Sequence, residues 1–258
     1  MKKNLVVANF KMKLASKTEI ETWLRNFEKA SKKFSSLNTE TVFCPPSLFL
    51  GNFSELIQKD EFSLGAQNCF WEDSGAYTGE VSPKMLASMD AKYVILGHSE
   101  RRKYFNEQDS EIAKKVEKVL KSRLNPIICI GENLEEKRQD LTMEVVLRQL
   151  KNILEKVGRG NIEKTILCYE PIWAISANNP ENPPTSNEIM EARLLIKKFL
   201  VDKYGRTTAE RVKIIYGGSV DQNNVKEICI DTGMEGALVG SCSVKPYDFL
   251  KLVKTFTD

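Results

Sequence analysis

The sequence predicts an α/β fold, a single (β/α)8 barrel domain spanning residues 1–258. Three observations predict it. Short β-branched apolar runs alternate with longer amphipathic segments eight times along the chain. The runs are apolar on both faces, as the strands of a parallel sheet covered by helices must be. After the first run stands Asn9-Phe10-Lys11-Met12-Lys13 in place of a Gly-rich dinucleotide-binding turn, which argues against the open, doubly wound sheet that the same alternation allows. A chain of 258 residues can bury one barrel core without dividing.

In chain order, strands are expected at residues 5–8, 41–44, 62–66, 93–96, 126–130, 165–169, 212–216 and 236–239. Between the first two, Ile20, Trp23, Leu24 and Phe27 recur at spacings of three and four and so share one face of a helix. Ser16 opens that helix three residues before Glu19, a capping box in which hydroxyl and carboxylate each take a free amide hydrogen. Ser82-Pro83 marks another start, with proline at the first helical position. Ile112, Val116, Val119 and Leu120 repeat the helical spacing after the fourth strand, and Thr185 with Glu188 repeats the capping box after the sixth.

Composition excludes several classes. With 41% hydrophobic and 28% charged residues, and no run of 18 apolar residues, the chain does not read as a membrane protein. The basic start Met1-Lys2-Lys3 precedes too short an apolar stretch for a secretory signal, so a cytoplasmic location is expected. Six cysteines without a C-x-x-C pair imply neither a disulfide framework nor a zinc site, and Cys129 and Cys168 in apolar runs read as free buried thiols. A net charge of +3 is too small for a nucleic-acid binder and points weakly to an acidic small molecule.

In such a barrel the chemistry gathers at the carboxyl ends of the strands. The first delivers Asn9 and Lys11, the fourth the chain's one histidine, His98, with Glu100, and the sixth Glu170 between Tyr169 and Pro171-Ile172-Trp173. Apolar surface around Glu170 would disfavour its charged form and make it a stronger base. Gly217-Gly218-Ser219 and Gly240-Ser241, after the seventh and eighth strands, offer backbone amides of the kind that hold phosphate oxygens.

These motifs, with Gly75-Ala76-Tyr77-Thr78-Gly79-Glu80-Val81-Ser82, Leu96-Gly97-His98-Ser99-Glu100-Arg101-Arg102, Cys129-Ile130-Gly131-Glu132 and Tyr169-Glu170-Pro171-Ile172-Trp173-Ala174-Ile175, stand in an order and spacing that resembles the triosephosphate isomerase family from end to end. The resemblance implies the (β/α)8 TIM barrel and interconversion of D-glyceraldehyde 3-phosphate and dihydroxyacetone phosphate through an enediolate, in glycolysis and gluconeogenesis. The family is a well-known case of acid/base tuning and lid closure, and the resemblance implies the same roles at the matching positions of this chain. Glu170 would be the general base, and neutral His98 at a helix start would polarise the carbonyl. Lys11 would supply positive charge, anchored by Glu100, while Asn9 orients the substrate. Ile175 and Leu238 would clamp the base. Ser176, Ser219, Gly240 and Ser241 would hold phosphate. No metal or cofactor is implied. Thr78, at the tip of the loop 67–82, would enter a second subunit, so a homodimer is expected; a free loop would leave Phe70, Trp71 and Tyr77 exposed together.

The chain departs from the family pattern in its lid, where 176–184 is about three residues longer and rich in proline by alignment to the capping box. Ser241 replaces a usual glycine, Lys13 a frequent asparagine and Phe10 a common tryptophan. These departures leave open an isomerase of a related tetrulose phosphate. A catalytically silent phosphate-binding barrel is the alternative of another class.

Overall fold

A computed structural model of the protein describes residues 3–32, 39–57, 62–175 and 183–257. Eight parallel strands, β1 (Asn4–Asn9), β2 (Thr39–Cys44), β3 (Phe62–Ala66), β4 (Ala91–Leu96), β5 (Asn125–Ile130), β6 (Ile166–Tyr169), β7 (Lys213–Tyr216) and β8 (Gly236–Val239), close into a barrel in sequence order. Closure rests on β8 pairing back onto β1, with Leu5 opposite Gly236 and Ala8 opposite Val239. That pairing rules out the open sheet. All eight expected strands form, each within two residues of its expected bounds.

The strands feed two apolar cores, because successive side chains alternate between faces. Leu5, Val7, Ile95, Ile127, Cys129 and Cys168 fill the barrel interior. Val6, Ala8, Val94, Leu96, Ile128 and Ile130 face the surrounding helices. Of these, α1 (Lys17–Ser31) and α2 (Leu50–Ile57) close over a cluster of Phe10, Trp23, Phe27, Phe43 and Phe53, whose rings lie 4.9–6.4 Å apart. Phe10, where the family often has tryptophan, packs edge-on against Trp23 at 4.9 Å.

The crossovers are more elaborate than one helix per strand. After α3 (Pro83–Ser88), which starts at Ser82-Pro83 as expected, β4 is followed by α4 (Ser99–Phe105) and α5 (Asp109–Lys121). Three helices, α6 (Leu134–Arg138), α7 (Thr142–Ile153) and α8 (Arg159–Ile162), lead to β6; α9 (Ser186–Tyr204) and α10 (Arg206–Arg211) lead to β7; α11 (Pro246–Thr255) ends the barrel. The Thr185–Glu188 box forms in full at the start of α9. At α1 only half forms: Ser16 accepts from Glu19 N–H, but the Glu19 carboxylate takes the amide of Ala15 (2.8 Å), one residue earlier than expected. A box at Asn133 and Glu136 opens α6 as well, a signal visible in the sequence. Among the described residues no helix is long and apolar enough to cross a membrane.

Candidate active site

Strand parity decides which side chains reach the barrel mouth. Leu5 and Val7 lie on the interior row of β1, so Asn9 is next on that row. In β6 Cys168 is interior and Tyr169 faces the helices, so Glu170 resumes the interior row just past the strand. Leu238 in β8 passes the same position to Gly240. The rows end in one open pocket of about 160 Å³ that gathers Asn9, Lys11, His98, Glu100 and Glu170.

Lys11 has a left-handed backbone, with φ at 51°, a conformation costing a non-glycine residue on the order of 1 kcal/mol or more. Two hydrogen bonds hold it there. Its amide donates to Asn9 Oδ1 (3.0 Å), and Gln67 Nε2 donates to its carbonyl (2.9 Å) while also reaching the Cys44 carbonyl (2.9 Å). The ammonium group pairs with Glu100 at 2.7 Å, as expected.

His98 stands at the start of α4, where its Nδ1 accepts the amide hydrogen of Glu100 (3.2 Å). A ring nitrogen that accepts carries no proton, so the imidazole is neutral with its hydrogen on Nε2. Nε2 faces Glu170 Oε1 at 3.0 Å, and Ser99 N–H donates to Oε2 at 3.0 Å. The expected apolar surroundings of Glu170 are therefore corrected: although buried, its carboxylate lies between two donors. Its aromatic neighbours in sequence serve the other face. Tyr169 Oη and Trp173 Nε1 donate to the buried Glu132, at 3.2 and 2.8 Å. Burial, with the Glu132 carboxylate beside it, holds the Tyr169 phenol well above its ordinary range, so it remains a donor. A carboxylate and an N–H donor facing one another beside an ammonium group suit removal of a proton next to a carbonyl, with stabilisation of the oxyanion that forms.

The family model described as triosephosphate isomerase matches residues 4–256. The chain belongs to the triosephosphate isomerase family. It is similar to the triosephosphate isomerase of Dictyoglomus turgidum, 38% identical over 257 residues, covering 99% of this chain and 100% of that protein. The enzymes so named from Dictyoglomus thermophilum and Clostridium tetani are 39% identical over 255 residues and 38% over 253, covering 99% and 98% of this chain and 100% and 96% of theirs.

Other positions that match triosephosphate isomerase motifs are distributed unevenly. Ile175, Leu238, Gly240 and Ser241 line the pocket. Ser219 does not offer its amide there: its N–H and its hydroxyl both donate to the Ala174 carbonyl, at 3.1 and 2.8 Å. Gly217 likewise donates to the Tyr169 carbonyl (2.8 Å). A Cβ at Gly217 would lie 2.6 Å from Cys168 Sγ, so packing alone requires glycine there. Ser176 and the expected lid through 182 lie outside the described residues. Thr78 is exposed, away from the pocket, on a loop whose base is ordered by the stacking of Phe70 on Trp71 (4.1 Å) and by the Lys118–Asp73 ion pair (3.0 Å). The sequence motifs gave no role to Gln67, Lys13 or Glu132. Gln67 directly follows β3, so the strand-end rule applied to that strand finds it.

Proposed function

We propose that Glu170 is the general base for interconversion of D-glyceraldehyde 3-phosphate and dihydroxyacetone phosphate, the reaction of the family to which the chain belongs. The observation that carries this is the opposition of Glu170 Oε1 and His98 Nε2 in a pocket that also holds the Lys11 ammonium. Substrate entering between them takes over the Nε2 hydrogen bond through its carbonyl oxygen, and the carboxylate freed of that bond removes a proton from the adjacent carbon. The oxyanion of the enediolate is then stabilised by the Nε2 hydrogen and the ammonium charge. The hydroxyl proton on the first carbon's oxygen passes to this oxyanion, and return of the abstracted proton from Glu170 to the neighbouring carbon completes the isomerisation, with no net change in protons or electrons.

Asn9 supports this arrangement by holding the Lys11 backbone, and Glu100 by holding its ammonium group. Ile175 and Leu238 supply the apolar wall that keeps water from the base. Phosphate binds at Gly240 and Ser241, joined by Ser176; Ser219 contributes its amide only after releasing Ala174. No cofactor takes part. Met12, 92% exposed, and the projecting loop around Thr78 support a homodimer in which each covers the other. A cytoplasmic location belongs to the same reading.

A coupled assay of glyceraldehyde 3-phosphate conversion, run on wild type and Glu170→Gln, tests the proposal. Rapid turnover lost in the variant is expected. Comparable rates in both would remove Glu170 from the mechanism.

A further inference from the structure

The pocket holds a second lysine. Lys13 lines its outer wall, and its Nζ donates to Ser241 Oγ at 3.2 Å, joining the loop after β1 to the turn after β8. Lys11 approaches the same turn: a Cβ on Gly240 would lie 3.4 Å from Lys11 Cε and 3.8 Å from Nζ. Both lysine side chains thus reach Gly240-Ser241. Their charges are not equivalent. Lys11 is paired with Glu100 at 2.7 Å, whereas Lys13 forms no ion pair among the described residues.

Charge makes the consequence definite. With His98 neutral, the carboxylates of Glu100 and Glu170 outweigh Lys11 by one negative charge, and only Lys13 brings the charged groups lining the pocket to balance. A phosphate dianion entering without Lys13 would meet a net negative wall at close range, where charges are screened least.

We propose that Lys13, seated by the Ser241 hydroxyl, is a phosphate-binding residue that sets the preference of this pocket for phosphorylated over unphosphorylated substrate. The inference rests on the isomerase reading above and adds a residue to it. Ser241 acts here as a positioning residue, through its side chain.

Steady-state kinetics of Lys13→Met, Lys13→Arg and Ser241→Gly with glyceraldehyde 3-phosphate, with inorganic phosphate as inhibitor, and with unphosphorylated glyceraldehyde test it. In Lys13→Met, KM for the phosphorylated substrate and the inhibition constant of phosphate are expected to rise together about fivefold, the upper end for an exposed charge pair. Expected too are a kcat near wild type and unchanged glyceraldehyde turnover. Lys13→Arg restores most of the loss by keeping the charge, and Ser241→Gly, which keeps the amide, gives about a twofold effect. Unchanged KM and phosphate inhibition overturn the proposal, as does an equal fall in glyceraldehyde turnover, which would mark general damage to the site. Should wild type fail to turn over glyceraldehyde 3-phosphate, the isomerase reading fails separately. Calorimetric titration of wild type and Lys13→Met with inorganic phosphate then decides the role of Lys13, equal affinities sinking it.

Discussion

Glu170 shows how little a residue's sequence neighbours reveal of its surroundings. It is flanked by tyrosine, proline and isoleucine, yet its carboxylate meets Ser99 N–H and His98 Nε2, each at 3.0 Å. The reason is parity, which sends Tyr169 to the helix layer and Glu170 to the barrel mouth. Placement is then the sensitive quantity. Shortening the side chain in Glu170→Asp withdraws the carboxylate by roughly 1 Å and is expected to lower kcat on the order of 100-fold with little change in KM. A proportionate rise in KM in the same assay would mean that Glu170 serves binding instead. The strand-end rule made Glu170, His98 and Lys11 legible, because each stands at or just past a recognisable apolar run. Gln67, which holds the left-handed turn at Lys11, obeys that rule too, but an amide beside an unremarkable loop carries no chemical signal of its own.

At the scale of elements, the segment 172–175 that leads into residues 176–182 is tied down from two sides. Trp173 is held by Glu132, and the Ala174 carbonyl by Ser219. After these residues, α9 starts at a capping box whose carboxylate links stability to pH. Burial alone would raise the Glu188 carboxyl, but the Lys137 ammonium group at 2.7 Å and the Thr185 amide and hydroxyl outweigh it and hold the group below its ordinary value of 4.5. A carboxylate so depressed contributes stability that is fully present above its unfolded value and is lost as pH falls through its folded value. Glu188→Ala is therefore expected to cost about 1 kcal/mol near neutral pH, the usual size of a cap. In urea titrations the gap to wild type should shrink once the pH drops below 4.5; a gap independent of pH would refute the assignment. The capping signals at Thr185 and Asn133 were readable from spacing alone, whereas the shift of the Glu19 bond to Ala15 depends on the path of the preceding loop.

For the whole molecule, the loop that carries Thr78 is held to the barrel by a buried network. Lys115, on α5, pairs with the buried Glu107, donates to Asn68 (3.0 Å) and lies 5.9 Å from the Trp71 ring. The second oxygen of Glu107 has no hydrogen-bond partner among the described residues, and the first is shared by Lys115 and Arg101 Nε (3.2 Å), so Glu107 depends on these two cations for compensation. Lys115→Met leaves only Arg101 to compensate Glu107 and should cost about 1–3 kcal/mol and loosen the loop. Sedimentation is expected to show wild type as a dimer and the variant dissociating at higher concentration; a monomeric wild type would overturn the dimer reading. The eight strands and the residues at their ends were determined by the sequence, because alternation along a strand and the residue just past its end are local properties of the chain, whereas closure into a barrel rests on the pairing of β8 with β1. Only the tertiary structure decided which of those groups remain available: the amides of Gly217 and Ser219 are used within the protein, Glu170 lies between donors, and Lys13 meets Ser241. Each of these depends on contacts between segments remote in sequence, whose meeting is set by barrel closure and not by any local pattern.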